Sequence, residues 1–201
     1  MHKVISELEK ISDDARTLFG NLSAEQINWK PSAERWSVGQ CFEHLIKINS
    51  AYSLQFESIG KGEKNQSFWE TYSPFSGFFG NLLFKTLSPE AKRKLKAPSV
   101  ATPSASSISR GIIEAFVKHQ SELASKIRKT ENLDTKKIII TSPFIKAITY
   151  SLFDAYRILV THEKRHFEQA KRVMQADGFP HSESTLKTNG SVDILGFRHN
   201  V

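Results

Sequence analysis

The chain has 201 residues, of which 39% are hydrophobic and 24% are charged, with a formal net charge of +7. These values are typical of a globular domain and exclude a disordered chain, and no apolar run approaches the roughly 20 residues that span a bilayer. Because the N-terminus lacks an apolar signal core and the single cysteine, Cys41, cannot form an internal disulfide, we expect a cytoplasmic protein without membrane partners.

The N-terminal third of the chain predicts two long helices. Apolar residues recur at three- and four-residue steps over 4–18, as expected for one face of an amphipathic helix. A proline-containing loop follows, and Ser37 with Gln40 then forms the pattern of a capping box. We therefore predict a second helix over 38–58 that ends before Gly60.

The middle of the chain, residues 67–105, is rich in aromatic residues, glycine and proline. Short helical turns are predicted over 75–87, and the many phenylalanines need a place where they can be buried. We interpret this segment either as a hydrophobic cover on the core or as a wall or lid over a substrate pocket.

The densest basic cluster of the chain also lies in this middle segment and consists of Lys92, Arg93, Lys94 and Lys96. Prolines flank the cluster, and no aromatic stacking pattern or nucleic-acid-binding motif accompanies it. We therefore predict that these residues form a solvated loop, and that the protein has no nucleic-acid partner.

The C-terminal half predicts two further helices, over 107–129 and 151–176, with a short extended piece over 136–140 between them. Four long amphipathic segments with little strand pattern indicate an all-α fold, a four-helix bundle with a long crossover between the second and third helices. Residues 1–178 would form the bundle, and the polar residues 179–201 would form a tail packed on it or extending from it.

The fourth predicted helix contains the sequence HEKRH, a literal match to the H-E-x-x-H motif of zinc peptidases. Its histidines, His162 and His166, fall within the apolar stripe that faces the bundle core, with their rings one turn apart. Buried imidazoles need partners for both nitrogens, and a divalent metal meets that need. Zinc peptidases usually carry a sheet beside the motif helix, however, and no such sheet is predicted here.

A third inward histidine, His44, lies on the core face of the second helix among apolar neighbours. If the second and fourth helices face one another, His44, His162 and His166 form a metal site with open positions for water and substrate. Glu163 lies about 100° around the helix from His162, so it either flanks the site or faces solvent. His119 also lies on an apolar stripe and is interpreted as a packing residue or as a support behind the ligands.

Two blocks of sequence resemble the DinB-like (YfiT-like) family, INWKPSAERWSVGQCFEHLIKINSAY and THEKRHFEQAKRVM. The resemblance extends over about residues 1–175. It implies a four-helix bundle that binds a divalent metal, nickel or zinc with iron and manganese as alternatives, through His44, His162 and His166. It also implies an enzyme, either a metal-dependent hydrolase or a transferase that uses a low-molecular-weight thiol.

The leading functional hypothesis is therefore a metal-dependent enzyme that acts on a small molecule, either a hydrolase or a low-molecular-weight thiol S-transferase. The alternatives are a non-enzymatic metal-binding or structural bundle and, with less support, a zinc peptidase. The expected partner is a small-molecule substrate, and a homodimer is left open. Trp36, at the start of the second helix, would pack near the mouth of the site or anchor the loop on the bundle end.

Overall fold

The computed structural model describes residues 1–89, 101–104 and 107–181, and within these residues it is predominantly helical. The helices are α1 (His2–Phe19), α2 (Ala24–Asn28), α3 (Val38–Gly60), α4 (Phe68–Tyr72), α5 (Ser76–Leu87), α6 (Ile112–Arg128) and α7 (Leu152–Met174). Two short strands, β1 (Ile139–Thr141) and β2 (Thr149–Ser151), lie between α6 and α7. The long helices α1, α3, α6 and α7 form the predicted all-α bundle.

The long helices follow the predicted boundaries closely, apart from the start of α6 and the end of α3, which includes Gly60 instead of ending before it. Residue 107 was predicted to begin this helix, but α6 begins at Ile112. The side chain of Asn28 explains the difference, because its Oδ1 accepts from the Ile108 amide at 2.6 Å and its Nδ2 donates to the Ile108 carbonyl at 2.8 Å. These bonds hold Ile108 outside the helix against the end of α2.

Two short helices, α2 and α4, were not predicted, although the sequence contains a signal for each. Ser23 and Gln26 form a capping box at the start of α2, as Ser67 and Glu70 do at the start of α4. The predicted box of Ser37 is also present at the start of α3. The same spacing of a serine and a Gln or Glu, three residues apart, therefore marks three helix starts.

Buried apolar residues form two clusters at opposite ends of the bundle. The Tyr156 cluster, which surrounds Phe56 and Tyr156, takes residues from the first turns of α1 and α7 and the last turns of α3 and α6. The Phe42 cluster, which surrounds Phe42 and Phe116, takes residues from the opposite ends of the same helices. Helices α3 and α6 therefore run parallel to each other and antiparallel to α1 and α7.

This arrangement explains the long crossover. Because α3 ends beside the Tyr156 cluster and α6 begins beside the Phe42 cluster, the chain between them must return along the length of the bundle. The crossover contains α4 and α5, and α5 packs against α7 and β2. Residue Ala101 lies in the Tyr156 cluster and Ile108 in the Phe42 cluster, which marks the path of the return.

The two strands form a small antiparallel hairpin in which Ile139 pairs with Ser151 and Thr141 with Thr149. The predicted extended piece at 136–140 is therefore displaced toward the C-terminus, because β1 begins at Ile139 and includes Thr141. The strand β2 was not predicted, since three residues are too few for an alternating pattern. This hairpin is much smaller than the sheet expected beside a peptidase motif helix.

Beyond α7, the structure describes the chain as far as residue 181. Phe179 packs against Trp29 with ring centroids 5.5 Å apart, and Gln26 donates to the Pro180 carbonyl at 2.7 Å, so the chain just beyond α7 lies on the bundle. The basic cluster of Lys92 to Lys96 and most of the predicted tail lie outside the described residues. Within the described part of the chain, no helix is both long and apolar enough to cross a membrane.

Candidate metal centre

A layer of buried polar side chains separates the Tyr156 cluster from the Phe42 cluster. The layer consists of His44, Asn49, Gln120, His162, Glu163 and His166. Each of them is at least nine-tenths buried. Buried polar groups are costly unless they are paired, so each member of this layer needs a partner.

The three predicted histidines come together in this layer, as the facing of α3 and α7 predicted. One potential ligand atom from each of His44, His162 and His166 lies within 4.8 Å of the others. The Nε2 atoms of His44 and His162 are 3.3 Å apart. Nitrogen ligands at about 2.0–2.1 Å from zinc in tetrahedral geometry are roughly 3.3–3.4 Å apart, so this pair fits a shared ion.

The ring of His44 is oriented by the crossover. Its Nδ1 lies 2.6 Å from the carbonyl oxygen of Ala101, and because a carbonyl only accepts, Nδ1 must donate. This bond leaves the Nε2 lone pair of His44 directed at His162, the arrangement that a metal ligand requires. The backbone near Ala101 is held on α3 by Glu43, which accepts from the Ser104 amide and hydroxyl at 2.6 and 2.7 Å.

Burial also keeps these histidines in the neutral form that binds metal. Desolvation lowers the pKa of His44 and lowers that of His162 well below the usual range. Burial likewise lowers the pKa of His166 to about 3, with a smaller contribution from nearby positive charge. The Nδ1 atoms of His162 and His166 are buried and have no hydrogen-bond partner among the described residues. The donor set, its spacing and its protonation therefore fit a divalent cation.

Trp36 lies against the site, as one of the two interpretations predicted. Its ring stacks on His166 with centroids 5.4 Å apart and an interplanar angle of 21°, and its centroid lies 4.9 Å from that of His44. Trp36 immediately precedes Ser37, the N-cap residue of α3. The capping box therefore fixes the position of the backbone from which the indole extends. The indole forms an aromatic wall beside the ligands.

Glu163 faces a different part of the polar layer. It is fully buried, which excludes the solvent-facing alternative, and it is not a member of the histidine group. Its two carboxyl oxygens accept from Asn49 and Gln120, each at 2.7 Å. Burial raises the pKa of Glu163 to about 8 in spite of these two bonds. A carboxyl held in this way does not serve as the general base of a zinc peptidase.

Two other residues singled out in the sequence have no direct part in the site. His119 lies on α6 outside the histidine group, and burial lowers its pKa. Cys41 is buried, and desolvation raises the pKa of its thiol to about 12, so the thiolate form is negligible at neutral pH. The protein therefore supplies no reactive thiol of its own at this site.

The histidines open into a cavity of about 1030 Å³ that runs along α3 and α7. Leu83 and Leu87 of α5 line it, so the crossover forms a wall of the cavity as well as a cover on the core. The cavity is also lined by Gln169 and Arg172, which no sequence pattern singled out. Gln169 and Arg172 are three residues apart, so they lie on the same face of α7 as each other, beyond His166.

Comparison with known proteins agrees with this geometry. The DinB superfamily matches residues 7–170, which include all three histidines, and the chain belongs to that superfamily. The chain is also similar to the uncharacterized protein YuaE of Bacillus subtilis (strain 168), with 26% identity over 157 residues, or 77% of this chain and 86% of YuaE. No solved structure matches the chain.

Proposed function

We propose that this protein is a metal-dependent enzyme that acts on a small molecule, with His44, His162 and His166 as the metal ligands. The observation that carries the proposal is the opening of a buried three-histidine cluster into a cavity of about 1030 Å³. Cavities of this size are typical of small-molecule sites. Nickel or zinc is the expected metal, and iron or manganese would also accept histidine nitrogen.

Three neutral imidazoles would leave the full charge of a divalent ion in place, and that charge would lower the pKa of a bound water or thiol and polarise an electrophile. The residues of the chain have separate tasks around it. The Ala101 carbonyl orients His44, and Trp36 shields one side of His166 from water. Arg165 of α7, which donates to the carbonyls of Thr86 and Ser88, fastens the end of α5 beside the cavity.

Hydrolysis and transfer of a low-molecular-weight thiol are both compatible with such a site, and two observations favour thiol transfer. Among the described residues that line the cavity, the only carboxylate is that of Glu34, on the exposed loop before α3. Among the described residues, therefore, neither α3 nor α7 presents a carboxylate to the cavity that could activate water. Cys41 is buried and protonated, so the nucleophilic sulfur would come from a small thiol substrate.

The second candidate function is a metal-binding bundle without turnover. It would be favoured by a fourth ligand from the protein, which closes structural sites. The histidine group contains three residues in the described part of the chain, which supports an open position and hence an enzyme. The cytoplasmic location and the absence of a nucleic-acid partner remain predictions.

The proposal is tested by changing each of His44, His162 and His166 to Ala in protein purified without an affinity tag. Elemental analysis should show about one metal per wild-type chain and a large loss in each variant. His119→Ala is the matched control, because His119 is also partly buried but lies outside the group. A triple variant that keeps stoichiometric metal would show that the site is wrongly assigned. A screen of the metal-loaded protein with small thiols and electrophiles then tests the reaction.

A further inference from the structure

The cavity differs in character on the two sides of the histidines. The apolar arm is lined by Ile48, Tyr52, Leu83, Phe144, Ile145 and Ile158. The cationic arm is lined by Arg35, Gln169 and Arg172, together with Glu34 and the apolar residues Val173 and Ala176. A metal held by the histidines would lie at the junction of the two arms.

Helix geometry gives the direction and length of the apolar arm. Ile48 and Tyr52 follow His44 by one and two turns on the same face of α3, and Ile158 precedes His162 by one turn on α7. Because α3 and α7 are antiparallel, both sets extend to the same side of the histidines. Eight residues of helix correspond to about 12 Å, which is the distance along α3 from His44 to Tyr52.

The polar atoms of the apolar arm are already paired within the protein. The hydroxyl of Tyr52 is 2.7 Å from that of Tyr150, and Ser142 accepts from the backbone amides of Phe144 and Ile145. The ring of Phe144 lies 5.9 Å from that of Tyr52. The surface that remains for a ligand is mainly hydrocarbon, so a polar ligand group would be desolvated there without compensation.

The opposite arm continues along α7 beyond His166, where Gln169 and Arg172 follow by three and six residues. Arg172 and His166 line the same cavity, so the charge of this arginine belongs to the site. Neither Arg35 nor Arg172 forms an ion pair within the described residues. The arm contains two arginines and one carboxylate, that of Glu34, so its net charge is positive and it complements a negatively charged group.

We infer that the substrate or product is an elongated amphiphile, with a hydrocarbon group in the apolar arm, its reacting atom at the histidines and an anionic group in the cationic arm. This inference rests on the proposed function, since the histidines mark the reacting atom. A compact, fully polar molecule would leave the apolar arm unfilled.

The test uses S-alkyl mercaptosuccinates with butyl, hexyl and octyl chains, which join a hydrocarbon chain, a central sulfur and two carboxylates. Affinity is measured by titration calorimetry on metal-loaded and chelator-treated full-length protein. Each buried methylene should tighten binding by about fourfold, the equivalent of ~0.8 kcal/mol, until the chain fills the arm. Equal affinity for the butyl and octyl compounds would overturn the apolar arm.

Matched variants assign each arm. Ile145→Asp should abolish the dependence on chain length, whereas Leu18→Asp, at a residue of similar exposure on α1, should keep it.

Arg172→Gln should weaken the binding of all three compounds by roughly threefold in low salt, and Arg110→Gln should not. S-alkyl thioglycerols, in which hydroxyls replace the carboxylates, should bind more weakly than the acids. Equal affinity for the two series would overturn the cationic arm.

The two protein forms separate this inference from the proposed function. If the protein takes up no metal when metal is offered, and affinity still depends on chain length, the two arms are correct and the metal-dependent function is wrong. If metal binds with the expected stoichiometry but affinity does not depend on chain length, the function stands and the amphiphilic substrate class is wrong.

Discussion

The Nδ1 atom of His44 donates to the carbonyl oxygen of Ala101 across 2.6 Å, so a candidate metal ligand of α3 is oriented by the crossover. Bonds of this kind fix the tautomer of a ligand histidine and the direction of its free lone pair. We therefore expect the docking of residues 101–104 on α3 to affect metal affinity.

Glu43→Ala tests this coupling. The substitution removes both bonds to Ser104, and we expect metal affinity to fall by about 10- to 100-fold while all three histidines remain. Glu57→Ala is the control, since Glu57 lies on the same helix and pairs with Lys61 and Lys126. Affinity is measured by competition with a chromophoric chelator. Unchanged affinity in Glu43→Ala would show that the crossover does not orient the ligand.

The stability of metal-free protein should depend on pH through the same histidines. Their pKa values are lowered in the folded state, to about 3 for His166, whereas an unfolded histidine titrates near ~6.5. The unfolded chain therefore binds more protons, and the free energy of unfolding should fall as pH decreases below about 6.5. Melting curves from pH 8 to 5 should show a steeper decline for the wild type than for the triple alanine variant.

Added metal should stabilise the folded protein most at neutral pH, where protons do not compete for the histidines. An ion that binds only the folded state stabilises it by about 2.7 kcal/mol at a concentration 100-fold above its Kd. The expected result is a higher melting temperature with Zn²⁺ or Ni²⁺ at pH 7, and a smaller increase at pH 5, where protons compete for the ligands. The metal-free sample is prepared with a chelator that is shown to remove the ion. An identical melting temperature with and without metal would then exclude a contribution of the ion to folding stability.

Glu163→Gln should change stability in the opposite pH range. The pKa of Glu163 is raised to about 8, so its carboxyl contributes most to stability below its unfolded pKa, and that contribution is lost as pH rises through about 8. We expect the free energy of unfolding of the glutamine variant, relative to that of the wild type, to be higher at pH 9 than at pH 6. Urea titrations at both values provide the measurement, and a constant difference between the proteins would contradict this assignment.

Gly80 tests how closely α5 is seated on α7. A Cβ at this position would lie 2.7 Å from an Asp154 carboxyl oxygen and 3.0 Å from its Cβ, whereas a Cβ at Gly77 of the same helix meets nothing within 4 Å. Gly80→Ala should destabilise the protein by about 1–3 kcal/mol through overpacking. Gly77→Ala should be neutral or stabilising by up to about 1 kcal/mol through helix propensity. Equal effects in urea titrations would contradict the close contact.

Helical periodicity predicts well which residues of a helix face the core, but it predicts poorly which residues they contact. The site shows both results. It placed His44, His162 and His166 on inward faces, which was enough to propose that they meet. It could not identify the partner of His44, because Ala101 is 57 residues away along a crossover without regular periodicity. The direction of Glu163 was also open, since only the positions of Asn49 and Gln120 on two other helices determine it.

The polar layer between the two apolar clusters also determines the axial register of the bundle. Leucine, isoleucine and phenylalanine would still be buried if α7 moved along its neighbours by one turn, about 5.4 Å. Glu163 would then lose Asn49 and Gln120, each now at 2.7 Å, and an unpaired buried carboxyl is strongly unfavourable. The Glu163 carboxyl therefore selects one of several alignments that hydrocarbon packing alone would permit, and that alignment is the one in which His162 lies opposite His44.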